Sequence, residues 1–199
     1  MESYKVMETF YSIQGEGYHT GKSAFFIRLS GCDIGCSWCD VKESWDTENS
    51  SLKSVEELVS EAVLYKAQRV IITGGEPTMY DLLPLTNALK AVNIQTHLET
   101  SGVYKITGSW DWVCISPKKF KAPLVSEMQK ADELKIIVVN KSDYSWAQEH
   151  AENVEANCKL FLQPEWDKSS NAIEGIAEYV KDFPNWRISL QTHKYMNIR

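Results

Sequence analysis

No run of apolar residues in this chain approaches the roughly 20 needed to cross a bilayer. The opening MESYKVMETF has none of the charge and apolar pattern of a secretory signal. A cytoplasmic location with no membrane partner is therefore expected. There is no stripe or cluster of Lys and Arg, and 21 basic against 27 acidic residues leave a net charge of −6. Nucleic acid is accordingly not an expected partner. Internal repeats, low-complexity tracts and linker-like stretches are missing too, so residues 1–199 are read as one domain, long enough to bury a real core. Disulfides are not expected in a reducing compartment, and the five cysteines point instead to metal or redox chemistry.

What is present alternates. Short β-rich runs (Ser23–Gly31, Arg69–Thr73, Ile94–Thr100, Asp111–Ser116, Glu133–Val139, Cys158–Gln163 and Arg187–Gln191) are interleaved with amphipathic stretches. Ser54 followed by Glu57 forms a capping box, and Val55, Leu58, Val59, Ala62 and Val63 then share one helical face. Further helices are expected near 81–91, 144–153 and 171–181. Such alternation predicts an α/β fold, a parallel sheet covered by helices as a doubly wound sheet or a partial or full barrel. Seven tryptophans and nine tyrosines supply core and, in part, walls for a flat ligand.

Nearly every unusual segment stands just after the end of an expected strand: the cysteine loop, TGGEP, ETSG, SPKK, QPEW and QTHKY. In parallel α/β folds the strand-to-helix loops gather on that edge, and ligands bind there. An active site along this edge follows.

The loop SGCDIGCSWCD carries Cys32, Cys36 and Cys39 at C-x3-C-x2-C spacing, with no fourth cysteine nearby. Cys114 and Cys158 lie inside β-runs and read as small buried hydrophobes. A closed zinc site needs four ligands. Here the fourth would have to be distant, for example His19. A four-iron cluster held by three thiolates leaves one iron open, as a metal must be if it is to bind a small molecule.

The cysteine loop after the first core strand, Trp38 before its last cysteine, and GGEP after the next strand together resemble the radical S-adenosylmethionine enzymes. In that superfamily the open iron is chelated by S-adenosylmethionine, which the reduced cluster splits to a 5′-deoxyadenosyl radical. FYSIQGEG, TGGEP, ETSG, SPK, ELK, QP and the terminal QTHKYMNIR extend the likeness over nearly the whole chain, to the family of 7-carboxy-7-deazaguanine synthases.

The resemblance implies a shortened, partial parallel β/α barrel of the radical SAM type and a homodimer. It also implies a reaction, the conversion of 6-carboxy-5,6,7,8-tetrahydropterin to 7-carboxy-7-deazaguanine with loss of ammonia, on the way to queuosine. A flavodoxin or ferredoxin is the implied electron donor. Carried over residue by residue, Cys32, Cys36 and Cys39 would hold a [4Fe-4S] cluster. Trp38, Cys39, Asp40, Gly75, Glu76, Ser101, Ser116, Pro117, Lys118, Gln163, Pro164, Glu165 and Trp166 would hold S-adenosylmethionine. Ile13, Gln14, Gly15, Glu16, Arg28, Thr73 and the terminal Arg199 would contact the pterin.

The residue types suit those roles. Gly74 and Gly75 allow close backbone approach to a ligand, and Glu76 offers an acceptor for an ammonium group. Arg28 interrupts an apolar strand and suits a substrate carboxylate, a structural ion pair being its alternative. Glu99 is expected to face the site, and His193 to shape the pocket. One position departs from the family pattern. Members commonly have Asp-Thr after the third cysteine, the threonine helping to bind Mg²⁺, whereas this chain has Asp40-Val41. Valine offers no oxygen to a hard cation, so weak or absent Mg²⁺ dependence is expected, with Asp40 the one remaining side-chain ligand. Two other readings are another small radical enzyme, such as an activator of glycyl-radical enzymes, and a non-enzymatic zinc-stapled binding module.

Overall fold

The computed structural model describes residues 2–48 and 50–199. Nine strands form one sheet: β1 (Ser3–Ile13), β2 (Ser23–Leu29), β3 (Ser51–Ser54), β4 (Arg69–Gly74), β5 (Gln95–Thr100), β6 (Trp112–Ile115), β7 (Glu133–Val138), β8 (Lys159–Pro164) and β9 (Trp186–Ile188). Their spatial order is β3-β1-β2-β4-β5-β6-β7-β8-β9. From β2 through β9 every pairing is parallel. Among the described residues no pairing joins β9 to β3, so the barrel is partial.

The seven expected strands all form, within a few residues of the expected ends. Two more strands carry no clear signal in the sequence. β1 and β3 add an antiparallel edge, and β1 contributes only Tyr4 and Val6 to the main core. Its mixed pattern of half-buried positions does not stand out as a strand in one dimension; pairing with β2 creates it.

Helices α1 (Val55–Leu64), α2 (Leu83–Ala91), α3 (Val125–Met128), α4 (Ser142–Ala151) and α5 (Ser169–Asp182) pack outside the sheet, and α6 (Thr192–Met196) follows β9. The capping box is present: Ser54 accepts from the Glu57 amide at 3.2 Å, and the Glu57 carboxylate accepts from the Ser54 amide at 2.7 Å.

Strand residues alternate between two faces. Ile27, Leu29, Val70, Ile72, Leu98, Leu134, Ile136 and Leu162 point out into the continuous core beneath the helices. The residues between them, Arg28, Thr73, Glu99, Cys114, Lys135 and Gln163, face a cavity on the concave side. One face holds the fold together and the other carries polar groups from six consecutive parallel strands.

Candidate active site

The concave face and the strand-end loops enclose a cavity of about 390 Å³. All the expected loops reach it. Every residue singled out in the sequence for cofactor or substrate lines it except Pro117, which is buried behind its neighbours Ser116 and Lys118. Val41, His193 and Glu99 line it as well.

Cys32 and Cys39 are half-buried and Cys36 is buried; all three are free thiols at the cavity wall. Burial, together with the neighbouring thiols, pushes the Cys36 thiol up to about 11 despite the nearby Lys118. Burial raises the Cys32 thiol as well, and a positively charged group beside the two would reverse that. Among the described residues no three His, Cys, Asp or Glu side chains close on a single ion position. His19 does not complete a zinc site either, because it packs against His97 and Trp112, both ring pairs at 4.6 Å. Burial holds the His19 imidazole down at about 4.

The two glycines permit a close approach within the protein itself. A Cβ on Gly75 would lie 2.2 Å from the Gly31 carbonyl oxygen and 2.9 Å from Cys32 Cβ. Gly74, at φ +140°, lies equally close to the Leu29 backbone. The amides of Gly75 and Glu76 donate to Leu29 and Gly31 at 2.9 and 2.8 Å. The glycines therefore let the end of β4 pack onto the cysteine loop, while both also line the cavity. Gly75→Ala should cost about 1–3 kcal/mol, the usual range for overpacking against unyielding neighbours, and reduce bound iron. A urea midpoint and an iron assay check both.

Glu76 departs from expectation. It is 1% exposed. Its carboxylate accepts from the Thr78 amide and hydroxyl at 3.1 and 2.6 Å, from Thr100, and from the Ser101 amide at 2.9 Å and hydroxyl. Five donors fill the roughly four lone-pair directions of a carboxylate. Glu76 is thus a brace tying its own loop to the one after β5, with no lone pair left for a ligand ammonium.

On the inner face Glu99 accepts from Gln14 Nε2 at 2.7 Å and Thr73 Oγ1 at 3.1 Å, joining β4 and β5 to the loop after β1. Lys135 forms an ion pair with Glu16. Burial alone would raise the Glu16 pKa, but the Lys135 ammonium and donation from Lys135 and Gln191 outweigh it and hold the carboxyl below its ordinary value. Gln191 donates to Glu16 at 2.8 Å and to Asp40 at 3.0 Å, and Lys194 Nζ lies 2.7 Å from Asp40.

Arg28 makes an ion pair and also faces the cavity. Its Nε donates to Glu8 at 2.9 Å while the side chain lines the cavity. Arg199 reaches the other Glu8 oxygen at 2.6 Å. Gly15 is pressed against His193, whose Nδ1 would lie 2.1 Å from an added Cβ, so His193 shapes the wall through packing. Aromatic walls come from Phe10 stacked on Phe26 at 4.9 Å, and from Trp38 and Trp166, each under a lysine ammonium at 5.2 and 4.8 Å. Lys135, Gln191, Lys194, Glu8 and Phe10 were not singled out in the sequence. The motifs ELK, QTHKY and FYSIQGEG contain all of them but Glu8, yet their roles depend on pairings no local pattern reveals.

Residues 26–113 match the Radical SAM superfamily. Over 99% of its length the chain is 51% identical to 93% of the 7-carboxy-7-deazaguanine synthase of Flavobacterium psychrophilum. It is 47% identical, over the same share, to 94% of the enzyme of that name from Synechocystis sp.. The crystal structure of QueE from Escherichia coli superposes with a TM-score of 0.82 at 32% identity, covering 94% of this chain and 93% of that one. With a partial parallel barrel, three free thiols at its open edge and near full-length kinship of this degree, the chain belongs to the 7-carboxy-7-deazaguanine synthase family of radical S-adenosylmethionine enzymes.

Proposed function

We propose that this enzyme converts 6-carboxy-5,6,7,8-tetrahydropterin to 7-carboxy-7-deazaguanine with release of ammonia, a step towards queuosine. The observation that carries this reading is the convergence of the three thiols, the polar inner face and the chain's last residues on one cavity. Its volume falls within the range of small-molecule sites. When bound, the cluster supplies an electron and S-adenosylmethionine the group that abstracts hydrogen.

The protein's own residues divide the work. Cys32, Cys36 and Cys39 hold the cluster. Trp38, Asp40, Gly75, Ser101, Ser116, Lys118 and Gln163–Trp166 bound the side for S-adenosylmethionine, with Glu76 fixing Ser101 and Thr100 in place. Ile13–Glu16, Arg28, Thr73 and Arg199 bound the side for the pterin. Glu8 takes the Arg28 Nε and so orients the guanidinium, leaving its terminal nitrogens for a bidentate hold on the substrate carboxylate. Cavity walls of Phe10, Phe26 and Trp166 exclude water from the reacting carbon.

Magnesium is not required in this reading. Val41 lines the cavity without an oxygen, and the Asp40 carboxylate already accepts from Lys194 and Gln191. A fixed ammonium thus stands beside the carboxylate where a divalent cation would otherwise be attracted. Chelation should leave turnover close to unchanged. A sharp loss restored by Mg²⁺ would refute this.

In this reading the enzyme is a single radical SAM domain that works in the cytoplasm as a homodimer, reduced by a flavodoxin or ferredoxin. An anaerobic assay with S-adenosylmethionine and the pterin, read by mass spectrometry, tests the reaction. The deazaguanine should form without matching loss of S-adenosylmethionine. Accumulation of 5′-deoxyadenosine alone would keep the cofactor chemistry and refute the substrate.

A further inference from the structure

A second, much smaller cavity adjoins the floor of the first. Gln14, Glu16, Glu99 and Cys114 line both, so these side chains stand between the two. His19, His97, Trp112 and Glu133 line only the smaller one. It leaves about 10 Å³ for the centre of a guest, room for a single molecule the size of water.

The groups around it are short of partners. Glu133 is 3% exposed. Its Oε2 accepts from the Tyr18 amide at 3.2 Å and from Trp112 Nε1 at 3.1 Å. Among the described residues nothing donates to its Oε1. No cation pairs with it there either, because Lys135 is held by Glu16. Burial raises the Glu133 pKa, against the pull of Lys135 and the two donors. His97 is 5% exposed, and its ring makes no hydrogen bond among the described residues. Both ring nitrogens of His19 are buried without a partner. Burial above all brings His97 down to about 3; His19, Arg69 and Lys22 act the same way and Asp111 against them. Both rings are therefore neutral, and each keeps one accepting nitrogen.

Unpaired acceptors around a water-sized space suit a guest that donates hydrogen bonds, and a buried carboxylate without a counter-charge suits a positive one. Ammonium is both. Its hydrogen bonds of about 2.9 Å also span more than metal bonds of about 2.1 Å, and among the described residues no three His, Cys, Asp or Glu side chains close on one metal position.

We propose that the smaller cavity is an ammonium site that takes up the ammonia leaving the pterin. This rests on the reaction assigned to the larger cavity, and it adds where the second product goes. The neutral Glu133 carboxyl gives its proton to the lone pair of ammonia, the O–H bond breaking as the N–H bond forms. Ammonium then stands beside the Glu133 carboxylate, with hydrogens left for Glu99 and His97. As it departs, Glu133 takes a proton back from solvent.

The test uses holoenzyme without pterin, and ammonium chloride as the probe against potassium chloride at equal ionic strength. The thermal midpoint of the wild type should rise by about 3–5 °C more in ammonium once its concentration is tenfold above the dissociation constant. Glu133→Gln removes the charge at constant shape, and His97→Phe fills the space; both should lose this difference. Comparing the two salts within one protein cancels any general loss of stability in a variant. Equal midpoints in the two salts overturn the proposal and leave a water beside a protonated Glu133. A full ammonium effect in both variants overturns it as well. In the complete assay, ammonium should slow deazaguanine formation by the wild type several-fold more than potassium does. Binding without such inhibition overturns the uptake of product. Because binding is read without the pterin, a wrong substrate would show separately, as no deazaguanine from the wild type.

Discussion

Cys36→Ala protein, purified without oxygen and reconstituted with iron and sulfide, is expected to lack the brown cluster absorbance and to fall to background turnover. Its fold should remain near wild type. Cys36 is 7% exposed and packs with Ile34 and Val103 in a small satellite cluster, apart from the main core. Truncating its sulfur therefore removes little packing. The chemical loss is larger. With three thiolates the cluster already has one iron without a protein ligand, and a second open iron leaves it exposed to solvent and loss. Cys158→Ala is the control: Cys158 belongs to the main core, so that variant should keep its iron and lose stability instead. Iron content, visible absorbance and a urea midpoint separate the two. A Cys36→Ala protein with a full iron complement would overturn the ligand assignment.

Lys135→Met is expected to cost about 3–5 kcal/mol of stability, the scale of breaking a buried ion pair from one side. Lys135 is 6% exposed and stands among Glu16, Glu99 and Glu133. Burial would lower its pKa, but these acids and Cys114 raise it well above the ordinary lysine value. A raised lysine contributes stability that is fully present below its unfolded pKa and lost only as pH rises through the folded one. Glu16, held low, contributes stability present above the ordinary carboxylate range and lost as pH falls through its folded pKa. The pair thus supports the fold across the whole neutral window. In the variant Glu16 loses its counter-charge and its carboxyl rises, so the deficit should shrink on acidification as that carboxyl takes up a proton. Adding Glu16→Gln should recover part of the stability and none of the turnover. Urea midpoints across pH check the sign, and a Lys135→Met protein as stable as wild type would show the pair to be incidental.

Elements set by local pattern were legible in the sequence. The capping box at Ser54 and Glu57 needs only four consecutive residues, and the seven parallel strands are short apolar runs bounded by turn residues. The cysteine loop was legible for the same reason, since ligand spacing along a loop is local. GGEP was legible as a motif, but its physics was not. The glycines make room for the Gly31 and Leu29 backbone, and Glu76 ties its own loop to Thr100 and Ser101, 24 and 25 residues downstream. A motif shows that residue types are needed together and does not show against what they press.

By itself, the sequence determined the alternating architecture, the edge on which the site lies, the three thiols and the family. The first three follow from periodicity or spacing within a short window, where neighbours in chain are neighbours in space; the family rests on a resemblance over nearly the whole chain. Tertiary structure alone decided which face of each strand is core and which is site. A strand buried on both sides reads as one apolar run, and Lys135 or Thr73 within it shows no direction until the sheet curls. It also decided the partners of Arg28, Lys135 and Asp40. Those pairs lie 20, 119 and 154 residues apart in the chain, and a charge has a meaning only once the fold has chosen what stands opposite it.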